Sequence, residues 1–172
     1  SIIPESNALI GAISKEFGSN VRSYPNNKVV FEADESDESF LNSNPTLAIV
    51  TNVEPEHMEY YGYDEERFYN AYRNFLSLAK IRVINAEDEF LSSLDMESIK
   101  LYPSKDIKNI EFVLVDGEPH TKFELLDLGA FEVFGFGNHI ALDAALAILG
   151  AWELGGRGVG VRAGRLGCEG GD

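Results

Sequence analysis

The stretch Leu47-Ala48-Ile49-Val50 constrains this chain most, because it is apolar at every position and turns polar only at Thr51-Asn52. A strand with one wet face alternates apolar and polar side chains. A run without alternation suits a parallel strand covered on both faces. Lys28-Val29-Val30-Phe31-Glu32-Ala33-Asp34 has the same character, β-branched and apolar and then abruptly acidic, and Ala8 to Ile13 is a shorter apolar run. Asp64 to Ala79 predicts a helix, with Phe68, Tyr72, Phe75, Leu76 and Ala79 on one face. Asp64, Glu65 and Glu66 fall in its first turn, where the helix dipole favours negative charge. Ile81 to Asn85 predicts another strand and Asp88 to Leu94 a short helix.

The pattern then changes. Ile110 to Val115, Thr121 to Leu128 and Phe131 to Phe134 read as short strands, with Asp116-Gly117 and Leu128-Gly129 as turn signals between them. Asn138 to Leu154 predicts a helix with Asn138 as its N-cap. Ile140, Ala144, Ala147, Ile148 and Ala151 form one apolar stripe, and Leu142, Leu146 and Leu149 a second, so this helix is expected between layers. The order gives an α/β fold: an open, mostly parallel sheet flanked by helices, with a small antiparallel β meander.

Length and charge narrow the function classes. The chain has 172 residues, about one domain, and 44% of them are hydrophobic, enough for one core. Its net charge of −15 argues against nucleic-acid binding, which needs Lys and Arg to displace counterions from phosphates. No apolar run approaches the ~20 residues of a membrane span. Ser1 to Ser6 lacks the basic and apolar regions of a signal peptide, and the single cysteine, Cys168, permits no internal disulfide. A soluble cytoplasmic protein is expected. Residues 1–154 form the body. Residues 155–172 form a glycine-rich tail with little to bury, expected to lack fixed structure. It has no Gly-Lys-Ser/Thr and no preceding strand, so it is not a phosphate loop.

Two apolar runs end in polar chemistry. One ends in Glu32-Ala33-Asp34-Glu35-Ser36-Asp37 and the other in Thr51-Asn52, followed by Glu54-Pro55-Glu56-His57-Met58-Glu59. If the two strands pair, Glu32 and His57 reach one sheet edge, the edge where open α/β sheets bind ligands. A carboxylate with one imidazole is too few ligands for structural zinc but suits magnesium, which keeps waters and phosphate oxygens. The competing reading is a set of solvated loop acids, with Asp37 only capping Ser39-Phe40-Leu41. His139 and Asp143, at i and i+4, share a helix face beside the free N–H groups of its first turn, where a polar ligand such as a base could bind. His120, in a turn region, is expected to face solvent. Tyr60, Tyr61 and Tyr63 are expected to pack beneath their loop rather than line a substrate mouth.

The blocks Glu32-Ala33-Asp34-Glu35-Ser36-Asp37-x-Ser39-Phe40-Leu41 and Pro45-x-x-Ala48-Ile49-Val50-Thr51-Asn52-x-Glu54-x-x-His57-Met58 resemble the central domain of the Mur ligases. Asn74-Phe75-Leu76 and Gly137-Asn138-His139-Ile140-Ala141-Leu142-Asp143-Ala144-Ala145 extend the likeness over most of Ala8 to Leu154. Within the family the blocks look most like the members that add L-alanine to UDP-N-acetylmuramate. The resemblance implies an ATP-dependent amide-forming step in peptidoglycan precursor synthesis, through an acyl phosphate. It implies ATP and Mg2+ as cofactors, Glu32 and His57 as catalytic metal ligands, and Asn138, His139 and Asp143 as nucleotide-binding residues.

Three departures qualify that expectation. The family's G-T-x-G-K-[ST]-[ST] loop would lie before residue 1, so this chain alone is expected to be inactive. Ile140 and Asp143 stand where the adenine motif has asparagines, and Ile140 offers a base no side-chain hydrogen bond. Glu56 replaces an aspartate before His57. The family's C-terminal, amino-acid-binding domain is likewise expected to fall outside residues 1–172. The alternatives are another Mur or folylpolyglutamate-type ligase, or a non-catalytic nucleotide- or partner-binding module.

Overall fold

A computed structural model describes residues 5–14 and 16–155; the expected glycine-rich tail, from residue 156 onward, lies outside the described residues. Among the described residues, nine strands and four α-helices follow one another, and the strands form three three-stranded sheets. The chain divides into two compact units.

Among the described residues, the first unit comprises 45–54 and 76–155. Its parallel sheet pairs β4 (Leu47–Val50) with β5 (Ile81–Asn85) and β5 with β6 (Ile99–Leu101). A parallel neighbour needs a crossover of about a dozen residues or more. Helix α1 (Glu65–Leu78) lies in the connection from β4 to β5, and α2 (Glu89–Ser93) in that from β5 to β6. Helix α3 (Pro103–Asp106) leads into the antiparallel meander of β7 (Ile107–Val115), β8 (Glu118–Leu125) and β9 (Gly129–Phe134).

Alternation on β8 and β9 turns Phe123, Leu125, Phe131 and Val133 to one face, and all four are buried. Helix α4 (Asn138–Glu153) packs there with Ala141, Ala145, Leu146 and Ile148, and the same core takes in Val83 of β5 and Leu101 of β6. The helix touches both sheets, as its two apolar stripes require. Its small residues allow close approach: the space where a side chain on Gly150 would begin is 3.0 Å from Ile49 Cδ1. The N-cap is Gly137 rather than Asn138, which is the first helical residue. Gly137 has φ 138°, a conformation that favours glycine, and asparagine offers no advantage there.

Among the described residues, the second unit comprises 5–14, 16–44 and 55–75. Its small sheet has the order β2-β1-β3, with β1 (Asn7–Leu9) central between antiparallel β2 (Val21–Arg22) and parallel β3 (Val29–Phe31). The expected pairing of the Glu32-bearing and Thr51-bearing strands is therefore not made: β3 bonds β1, and β4 bonds β5. Residues 35–46 hold only a 3-10 turn at Ser39–Asn42, not a crossover helix. Around that turn, Phe40 stacks on Phe75 at 4.8 Å and meets Tyr72 edge-on at 5.5 Å. Asp64 caps α1, its Oδ1 accepting the Arg67 N–H at 3.1 Å. No helix among the described residues is long and apolar enough to cross a membrane.

Candidate functional site

Glu32 follows β3 directly, and the register holds it against β1. Its backbone N–H donates to Leu9 O at 2.9 Å, and its Oε2 accepts the Gly11 N–H at 2.7 Å. Gly11 also leaves room for that carboxylate, since a Cβ there would lie 3.2 Å from Oε2. The carboxylate is thus exposed yet tethered at one oxygen.

Asp34 begins an Asx-type turn. Its Oδ1 accepts the Ser36 N–H at 2.9 Å, and its carbonyl accepts from Phe40 N–H and Ser39 Oγ. Hydrogen bonds from Ser36 hold the Asp34 carboxyl below its usual range, with a further contribution from the charge of His57. Asp37 caps the 3-10 turn, accepting the Ser39 N–H at 2.9 Å. Asp37 is thus the cap that the competing reading expects, and Asp34 lies within electrostatic reach of His57.

His57 is exposed and has φ 50°, left-handed backbone for a residue other than glycine. It opens a tight loop in which its carbonyl accepts from Tyr60 N–H and the Met58 carbonyl from Tyr63 N–H. Among the described residues, no hydrogen bond or ion pair joins Glu32 to His57, and no group of three or more His, Cys, Asp or Glu side chains could hold a metal ion. That donor chemistry does not fit a closed zinc cage. The Glu32 carboxylate fits magnesium, which takes one or two protein oxygens and keeps its waters, whereas the His57 imidazole offers nitrogen, a less usual partner for that ion.

The three tyrosines divide. Tyr61 is buried, packed edge-on against Phe68 at 5.1 Å, and its hydroxyl donates to the Glu35 carbonyl. Burial, with the charges of Glu38 and Glu35, pushes the Tyr61 phenol up to about 12. Tyr60 and Tyr63 are exposed, so packing beneath the loop holds only for Tyr61. Arg67 and Tyr61 carried no motif in the sequence; the only signals were an aromatic cluster and a basic residue early in an acidic helix.

In the first unit, Asp88 secures the end of the parallel sheet. Its Oδ2 accepts the Val53 N–H at 3.0 Å, and its Oδ1 caps α2 through the Leu91 N–H at 2.8 Å. At the start of α4 the His139 ring lies against Gly137, where a Cβ would sit 2.4 Å from Cε1. Burial raises the Asp143 carboxyl above its usual value, and the charge of His139 opposes the rise. These two residues are therefore brought together, one turn apart. Ile140 packs back on Gly135, whose Cβ position is 3.2 Å from Ile140 Cδ1, and flanks the core. His120 does not face solvent freely: its buried Nδ1 lies 3.1 Å from Glu132 Oε1, a favourable contact when that nitrogen carries a proton. The cross-strand neighbours of the meander shelter it, which turn composition alone does not reveal.

The Mur ligase middle-domain family model matches residues 17–128. A Campylobacter curvus protein named UDP-N-acetylmuramate--L-alanine ligase is 62% identical over 151 residues, 88% of this chain and 35% of that protein. A Helicobacter pylori protein of the same name is 59% identical over 153 residues, 89% of this chain and 34% of that protein. The solved UDP-N-acetylmuramate-alanine ligase of Thermotoga maritima superposes with a TM-score of 0.69 at 26% identity, covering 88% of this chain and 35% of that one. The chain thus spans about a third of the length of the curated relatives it matches. With the family model covering most of its length, and with an α/β core of parallel sheet and antiparallel meander, the chain belongs to the Mur ligase family.

Proposed function

We propose that this chain is part of a cytoplasmic ligase that joins L-alanine to UDP-N-acetylmuramate in peptidoglycan precursor synthesis, with residues 1–154 contributing to its central domain. The observation that carries the reading is the 62% identity to a protein named for that reaction, over 88% of the chain.

In this reading a muramoyl carboxylate oxygen attacks the terminal phosphorus of ATP, and ADP leaves. The amine of L-alanine then attacks the acyl carbon; inorganic phosphate leaves and an amide remains. Glu32 and His57 would hold a magnesium ion, whose charge screens the repulsion between the two anionic reactants. The Gly11 amide keeps the Glu32 carboxylate at a strand end, so little reorganisation is needed there. Asp34, held ionised by Ser36, adds negative charge to the same loop. In the first unit, His139 and Asp143 would contact the adenine beside the free N–H groups of the α4 first turn, and Asn138 lies in that turn. Ile140 is occupied by core packing and contributes shape rather than a hydrogen bond.

The test uses the whole enzyme that contains this segment. Glu32→Gln keeps the size of the side chain and removes its charge. Phosphate release dependent on UDP-N-acetylmuramate and L-alanine is expected to fall about 100-fold or more. A normal rate with normal magnesium dependence contradicts the role of Glu32. No phosphate release from the unaltered enzyme with these substrates contradicts the ligase reading itself.

A further inference from the structure

Glu32 and His57 lie on different loops of the second unit, and neither bonds the other. The structure nevertheless ties the two loops together through one side chain on α1. Arg67 Nε donates to Glu38 Oε1 at 3.2 Å, on the loop that follows Glu32. Arg67 Nη1 donates to Tyr60 O at 3.0 Å, on the loop that follows His57. The guanidinium also lies over the Tyr60 and Tyr61 rings, 5.1 and 5.5 Å from their centroids. Tyr61 adds a second tie, with its hydroxyl on the Glu35 carbonyl and its ring against Phe68.

Stability does not explain this arrangement. The side chains of the Arg67–Glu38 pair are 44% and 26% exposed, and ion pairs that open contribute little to folding. The geometry instead needs a planar fork whose two nitrogens reach a side-chain carboxylate on one loop and a backbone carbonyl on the other at once. Arginine has that fork, and lysine does not.

We infer that Arg67 is a positioning residue: with Tyr61 it sets the separation of the Glu32-bearing and His57-bearing loops, and through it the affinity for the divalent ion. The inference rests on the reading of Glu32 and His57 as metal-facing. It adds a role for residues that touch neither ion nor substrate.

The experiment compares Arg67→Met, Arg67→Lys and Tyr61→Phe with Arg73→Met. Arg73 pairs with Glu66 on the same helix and contacts no residue of either loop through that pair. Hydrogen exchange in this chain reads the loops with no ion present, and magnesium titration of the whole enzyme reads the consequence. Arg67→Met is expected to speed exchange at residues 35–38 and 57–63 together. It is expected to raise half-saturating magnesium about 10-fold, the usual scale for losing a group that orients a ligand. The KM for L-alanine stays unchanged. Arg67→Lys does not rescue, Tyr61→Phe moves both readings less, and Arg73→Met moves neither.

Unchanged exchange in Arg67→Met overturns the inference whatever Glu32→Gln does. Faster exchange with unchanged magnesium dependence also overturns it, and leaves the ligase reading standing if Glu32→Gln still shifts that dependence. If Glu32→Gln leaves it flat too, both fall together. Proportional loss of all kinetic parameters and of folded protein marks Arg67 as merely structural, and likewise overturns the inference.

Discussion

Strands β3 and β5 are both short, apolar and paired in parallel, yet they hold opposite places. Val29, Val30 and Phe31 of β3 are 61%, 43% and 37% exposed, while Val83, Ile84 and Asn85 of β5 are 0%, 2% and 8% exposed. β5 is the central strand of its sheet and touches α2 and α4. β3 is the edge of a sheet whose strands have two or three residues each. Burial thus comes from the cover a strand receives, not from its composition. The small sheet relies on directional bonds instead. Asn7 Nδ2 donates to the carbonyls of Asn26 and Lys28, and Asn7 Oδ1 accepts the Tyr24 N–H. The loops that carry Glu32 and His57, proposed to face a metal ion, belong to the same unit as this small sheet, and that unit also buries Phe40, Tyr61, Phe68, Tyr72 and Phe75.

The largest effect expected from this contrast is on stability. Phe123→Ala, in the packed meander, should cost about 3–5 kcal/mol by urea unfolding. Val30→Ala should stay within about 0.5 kcal/mol. Equal costs would break the comparison. Asp88→Ala comes next, at about 1–2 kcal/mol, because it uncaps α2 and leaves the Val53 N–H without its acceptor. If its cost is no greater than that of Val30→Ala, polar bonds matter less in the packed unit than proposed.

A further effect is confined to alkaline pH. Tyr61 has a folded-state value of about 12 against 10.0 for an ordinary tyrosine, so the folded state binds its proton more tightly. The contribution is complete below pH 10.0 and is lost as pH rises toward about 12. Stability curves from pH 9 to 12 should show this limb in the unaltered chain and lack it in Tyr61→Phe. The same limb in both would remove Tyr61 as its cause.

Long periodic elements were legible before the structure. Ile81–Asn85 is a strand with the expected bounds, and the helix expected over Asp64 to Ala79 runs Glu65–Leu78. Ile99–Leu101 and Val21–Arg22 escaped notice because two or three residues cannot display a period. The strand that pairs with β3 is β1 rather than the expected β4, because an apolar run states that it wants cover, not which strand supplies it. Glu32 and His57 stood out as acid and imidazole after apolar runs. The Arg67 and Tyr61 ties did not, because two of the three end on backbone carbonyls, which every residue carries, and the third joins Arg67 to Glu38, 29 positions away. Tyr61 differs from Tyr60 and Tyr63 only in where the His57 loop turns.

The central claim is that one divalent ion serves both Glu32 and His57. Manganese, a paramagnetic stand-in for magnesium, tests it in this chain by NMR. The Gly11 amide, bonded to the Glu32 carboxylate, and the His57 ring protons should broaden together at the lowest ion concentrations, before the amides of Glu111 and Glu124. Both signals should recover in step when Glu32→Gln is introduced. Broadening of one without the other, or of neither before the acidic strand residues, would contradict a shared ion.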